Sequence, residues 1–157
     1  MGVLAGYDDD LAAQSTRLSN RLRDALLHIH PALERLLGPR TDRGGVVDLL
    51  TAAPTPQALR ALGIAGITTL MRPRSPRLAR TLPAQILAAL DAQTVIVPGT
   101  IDFGRVITGV AAQLRDVHAE RATLATDLEA RLEAHPLAGV LTSPPTPPAH
   151  PPHDQVT

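Results

Sequence analysis

Residues 102–134 read DFGRVITGVAAQLRDVHAERATLATDLEARLEA, and the spacing of their apolar side chains decides the fold class. Phe103, Ile107, Val110, Leu114, Val117, Arg121, Leu124 and Leu128 step alternately by four and three, and only Arg121 among them is polar. On a helix that alternation holds the side chains to one narrow stripe. Thr100 is placed to cap the start, and Asp102 sits well at the positive end of the helix dipole. A helix over about 102–134 would be roughly 50 Å long. Its other faces carry Arg115, Asp116, Glu120, Asp127, Glu129, Arg131 and Glu133, with Asp127 and Arg131 spaced as an i,i+4 ion pair. A rod of this length must bury its stripe against a second helix.

The second helix is near the start of the chain, in GYDDDLAAQSTRLSNRLRDAL. Leu11, Ser15, Leu18, Leu22, Ala25 and Ile29 repeat the same alternation, with Ser15 the one polar member. The spacing predicts a helix from about Asp8 to Ile29. A break at His30-Pro31 follows, because proline lacks an N–H and its ring clashes one turn back. A short helix then ends at Gly38-Pro39. The two periodic helices could pair within a chain, between chains, or both. Arg121 in the seam is read as structural, either setting the register or extending outward to water.

Between the rods the signals are short. PRTDRGG (39–45) reads as a loop and GVVDLLTAA as a short buried helix. Thr55 and Pro56 are an N-cap and a first helical residue, and Gly63 stops the helix they begin. IAGITTLMR is another short helix. Ser75 and Pro76 repeat the start signal for a helix to about Ala92, which Pro83 should kink or shorten. TVIVPGT is the one β-like run, too brief for a sheet by itself. The tail LTSPPTPPAHPPHDQVT is extended or disordered material. The expectation is an all-α protein: long antiparallel coiled-coil helices, a small bundle of short helices between them, and a disordered Pro-rich tail. Its parts would be 1–38, 39–99, 100–136 and 137–157.

Composition agrees. Of 157 residues 44% are hydrophobic, yet the chain has one Phe, one Tyr and no Trp, so its apolar area is largely aliphatic. Ala and Leu favour helices. The absence of cysteine excludes disulfides and thiolate metal sites, and fits a cytoplasmic location. No apolar run approaches the roughly 20 residues needed to cross a bilayer. The net charge is zero, but all 15 basic residues are Arg and they are unevenly placed. Residues 49–90 contain no acid and five arginines, Arg60, Arg72, Arg74, Arg77 and Arg80, whereas residues 91–157 carry eight acids against four arginines. A neutral total thus conceals a basic middle and an acidic C-terminal part.

Three adjacent carboxylates, Asp8, Asp9 and Asp10, invite comparison with a metal-dependent nuclease. Two-metal chemistry needs acids converging on ions about 4 Å apart. Neighbouring helix residues diverge by about 100°, so this run cannot hold one ion unaided, and a helix cap is the better reading. The histidines (His28, His30, His118, His135, His150, His153) show no metal-binding spacing, and Ser143 before Pro144 lacks the setting of a nucleophile. No catalytic residue and no metal site are assigned. The best binding candidate is Arg72, Arg74, Arg77 and Arg80, since phosphate binding needs clustered positive charge and little sequence precision. Without aromatics there is no platform for stacked single-strand bases. LGIAG (62–66) could be a phosphate-holding hairpin turn, but an ordinary helix-to-helix turn accounts for it as well.

Several strings in order, LAGYDDDLAAQSTRLSNRLRDALLHIHPALERLLGPR, TPQALRALG, QTVIVPGT before the long helix, and EAHPLAGVLTS, resemble the middle of transposases of the one-ten insertion-sequence family. The resemblance runs from about Val3 to Ser143. It implies a bacterial recombinase, guided by a bridge RNA, with a RuvC-like nuclease domain before this region and a serine-bearing transposase domain after it. Full-length members would need a divalent metal such as Mg. The family's acids belong upstream of this sequence, so Asp8, Asp9 and Asp10 do not match them. After LTS the family pattern gives way to PPTPPAHPPHDQVT, which reads as a frameshift. The implied protein is a truncated transposase fragment with no cofactor of its own. Its partners would be DNA, a guide RNA, further copies of itself or full-length transposase, and no membrane. The alternatives are a free-standing coiled-coil structural or regulatory protein that ignores nucleic acid, or a decayed reading frame.

Overall fold

The computed structural model describes residues 2–93 and 97–134, and all regular structure among them is helical. Two units are distinguished, Met1–Arg121 and Ala122–Thr157. The tail, residues 94–96 of TVIVPGT, and His135, Ser143, His150 and His153 lie outside the described residues.

Helix α1 spans Gly2–Ile29. It begins before the aspartates, so Asp8, Asp9 and Asp10 lie inside the helix and the N-cap expected at Asp8 is not there. No acid occupies the first turn. Leu11, Leu18, Leu22, Ala25, Leu26 and Ile29 are buried, the stripe that the four-three spacing marks, widened by Leu26. At the far end His30 leaves the helical region at φ −155°, ψ 82°. The side chain of Gln93 donates to the Ile29 carbonyl at 3.0 Å, satisfying one of the acceptors that a helix end exposes.

Helix α2, Pro31–Leu37, starts on the proline that ended α1. His30 is its N-cap: the imidazole Nδ1 accepts from the Leu33 N–H at 3.0 Å. Gly38 closes it at φ +43°, a conformation that glycine adopts without a Cβ penalty. The segment read as a loop is in part a 3-10 helix, Gly38–Asp42, pinned by the Thr41 hydroxyl donating to the Gly38 carbonyl at 2.7 Å.

Helix α3, Gly44–Ala52, is the short buried helix, with Val46, Val47, Leu49 and Leu50 all inside. Helix α4, Pro56–Met71, opens with Thr55 accepting from the Ala58 N–H at 3.2 Å. Gly63, at φ +65° and ψ −176°, divides it into two helical stretches. Helix α5, Leu78–Ala92, starts two residues after the expected Pro76 and runs through the buried Pro83 without being cut short. Its C-terminal Leu90 carbonyl accepts from Arg60 at 2.7 Å.

Helix α6, Thr100–Ala134, begins after Gly99 at φ +81°. Thr100 is not its side-chain cap, because that hydroxyl donates backwards to the Val97 carbonyl. Asp102 does lie in the first turn. Ile107, Val110, Ala111, Leu114 and Val117 are buried. Leu124 and Leu128, the last two expected seam positions, fall in the second unit, whose described residues continue the helix.

Within the first unit α1 and α6 are antiparallel. Tyr7 donates to Glu120, Arg121 grips Asp8 at 3.0 and 3.4 Å, and the rings of His28 and Phe103 stack with centroids 5.0 Å apart. Partners therefore descend α6 as they ascend α1, and the rods pair within one chain. The largest fully buried side chains are Leu22, Leu26, Ile29, Leu33, Leu37, Leu49, Leu50, Leu59, Ile67, Met71, Leu82 and Ile86, so the core is aliphatic throughout. Phe103 is half-buried and Tyr7 exposed.

Candidate nucleic-acid interface

The acid-free span folds into α4, α5 and the turn between them, and its five arginines have different fates. Arg60 is used inside the fold on the Leu90 carbonyl. Arg72 follows Met71 in the turn, Arg74 and Arg77 lie further along it, and Arg80 is in the first turn of α5. All four of these side chains are exposed.

The turn is fastened to the start of α3. Ser75 is not the N-cap expected for α5; its hydroxyl instead accepts from the Gly45 N–H at 2.8 Å, satisfying a donor in the first turn of α3. The approach is close. A Cβ on Gly45 would lie 2.6 Å from the Ser75 Cβ and 2.8 Å from the Met71 carbonyl oxygen, and one on Gly44 would lie 2.6 Å from the Arg74 Nε. Arg74 crosses this gap to donate to Asp48 at 3.0 Å, and its other guanidinium nitrogen donates to Nδ1 of His118 on α6 at 3.3 Å. Its charge is therefore partly matched.

Arg72, Arg77 and Arg80 have no ion pair or hydrogen bond from their side chains among the described residues. Arg72 and Arg80 flank an open groove of about 440 Å³, with Thr68, Pro76 and Ala79 completing its walls. Three unmatched guanidinium groups, two on the fastened turn and one at the start of α5, can hold phosphate oxygens, by bidentate hydrogen bonds as well as by charge. The four-arginine cluster read from sequence is thus three outward cations and one that the fold engages.

The other candidates separate differently. Arg121 holds Asp8, and this contact keeps the Asp8 carboxyl below its usual range. Tyr7, donating to Glu120, is raised. Gly63 and Gly66 belong to the divided helix α4, and only Gly63 has positive φ. No group of three or more His, Asp or Glu among the described residues is arranged to hold a metal ion. No helix among them is long and apolar enough to cross a membrane.

Three insertion-element proteins are similar to this sequence. It is 48% identical over 145 residues to the insertion element IS110 uncharacterized 43.6 kDa protein of Streptomyces coelicolor, covering 92% of this chain and 36% of that one. The chain belongs to the IS110 family of insertion-element proteins. The insertion element IS116 uncharacterized 44.8 kDa protein of Streptomyces clavuligerus is 39% identical over 71% of this IS110-family chain and 28% of its own length. The insertion element IS900 uncharacterized 42 kDa protein of Mycobacterium paratuberculosis is 32% identical over 91% of the chain and 36% of its own. The IS110-family chain thus spans about a third of the length of these curated relatives. No family model and no solved structure matches it.

Proposed function

We propose that this IS110-family chain serves DNA transposition as a helical nucleic-acid-binding segment, with Arg72, Arg77 and Arg80 as its phosphate contacts. The observation that carries the reading is the turn between α4 and α5 together with the first turn of α5, where Arg72, Arg77 and Arg80 stand exposed and unmatched in a stretch without acids. Charge of this kind reads the backbone, so the binding tolerates sequence and weakens with salt. The paired helices α1 and α6 are the frame that carries the turn. The role is binding and positioning; no catalytic group is assigned to the chain. Membership of an insertion-element family makes DNA the first partner, and a guide RNA would use the same phosphate chemistry. Self-association and joining of a longer family protein are further proposed roles of the helical frame.

Sedimentation of the purified chain with and without a DNA duplex tests this. Co-sedimentation at low salt, lost in Arg72→Gln/Arg77→Gln/Arg80→Gln, supports it. A chain indifferent to DNA and to RNA would refute it and favour a free-standing helical structural protein.

A further inference from the structure

Arg74 is the one cation of the cluster that the fold engages, and its second partner can change charge. It donates through Nη1 to Asp48 and through Nη2 to His118. A guanidinium has no acceptor, so His118 Nδ1 must be the unprotonated nitrogen in this arrangement. Adding a proton there would set two donors against each other at 3.3 Å. We propose that His118 is a proton-operated latch on Arg74: the neutral imidazole holds Arg74 between Asp48 and His118, and the protonated imidazole releases it to join Arg72, Arg77 and Arg80 on phosphate.

The surroundings allow both positions. His118 is half-buried on α6, on a short side chain, whereas Arg74 is exposed, long and on a turn. The charged groups facing His118 come from every neighbouring segment. Asp42 of the 3-10 helix and Asp48 of α3 favour its proton, while Arg74 and Arg121 oppose it. Burial is the strongest influence and holds its titration below the ordinary histidine range. The latch is therefore closed at neutral pH and opens as acidity increases. Asp48 keeps a partner after the release, because the imidazolium can take the place of the guanidinium. Bound phosphates would draw His118 toward its charged form, so binding and proton uptake are reciprocal.

This inference rests on the phosphate reading above, and the experiment separates the two. Nuclear magnetic resonance follows the Arg74 Nη–H groups and the His118 ring in the free protein across the histidine titration. Binding to a random-sequence DNA duplex is measured at both ends of the titration over a salt series. The expected result is an Arg74 signal that is shifted and protected when His118 is neutral and averaged with solvent once it is charged. In parallel, the slope of log affinity against log salt should steepen by about 0.9, one added duplex phosphate contact. His118→Gln should abolish both changes, since glutamine does not titrate. Gly44→Ala, whose Cβ would lie 2.6 Å from Arg74 Nε and 3.0 Å from its Cβ, should displace Arg74 at every pH and give the steep slope without acid. An Arg74 signal that ignores the His118 titration, or a pH-dependent slope that survives His118→Gln, would overturn the latch. Failure to bind the duplex at either pH would instead remove the phosphate role, while the resonance data still decide whether the latch exists.

Discussion

Replacing Gly45 by Ala tests how the arginine turn is held. An alanine Cβ there would lie 2.6 Å from the Ser75 Cβ, 2.8 Å from the Ser75 hydroxyl and 2.8 Å from the Met71 carbonyl oxygen. Two of these obstacles cannot rotate away, because one is backbone and the other is fixed to it. Overpacking of this kind costs about 1–3 kcal/mol. Displacing the turn also threatens the 2.8 Å hydrogen bond from the Gly45 N–H to Ser75, whose net worth is about 0.5–1.5 kcal/mol. Against this, alanine is favoured over glycine in a helix by about 0.5–1 kcal/mol. The balance is a destabilisation of roughly 1–3 kcal/mol. Gly109 on α6 is the control, since a Cβ there meets nothing within 4 Å. Gly109→Ala should gain about 0.5–1 kcal/mol. Urea denaturation followed by helical circular dichroism, with linear extrapolation, reads both changes. The same substitution should thus have opposite signs at the two sites. A Gly45→Ala protein as stable as the parent would show that the turn does not rest on α3 as described.

Three further outcomes follow from other parts of the fold. His30 caps α2 only while Nδ1 is free to accept; burial, reinforced by the Arg60 charge, lowers its proton affinity below that of an ordinary histidine. The unfolded chain therefore takes up the proton first, so stability is full above about pH 6.5 and declines as pH falls below it, at no more than about 1.4 kcal/mol per pH unit for one histidine. His30→Asn, which keeps a capping acceptor but does not titrate, should flatten that decline in urea melts across the window, with His118 supplying the remainder. Leu22→Ala removes a fully buried side chain from the α1 stripe and should cost about 2–5 kcal/mol in the same assay. The pair between Asp8 and Arg121 is solvent-accessible on both sides, so Asp8→Asn should change the melting temperature little, and added salt should erase the difference.

Much of this helical frame could be read from one dimension because its causes are local. The four-three spacing lies within single helices, and the break at His30-Pro31 needs only proline's missing N–H. Thr55 caps the Ala58 N–H three residues away. Thr100 was misplaced as a cap by a partner only three residues back, Val97, but at Asp8 and Ser75 the deciding partner was distant in sequence. Asp8 looked like a cap, but its partner is Arg121, 113 positions on, and α1 extends back to Gly2. Ser75 carried a cap signal for α5, yet its hydroxyl serves Gly45, 30 positions earlier. Gly44 and Gly45 read as loop residues, whereas they are small because the arginine turn crosses them. The binding candidate shows the same division. Four arginines without acids between them are visible in the sequence. That Asp48 and His118 engage Arg74, leaving Arg72, Arg77 and Arg80, depends on three segments meeting in space.

The most direct test of the phosphate surface is the salt dependence of binding to a DNA duplex. The parent protein should lose affinity linearly in log salt, and Arg72→Gln/Arg77→Gln/Arg80→Gln should bind more weakly with a slope shallower by up to about 2.7, about 0.9 for each contact removed. An equal slope and equal affinity in the two proteins would contradict the assignment of these arginines.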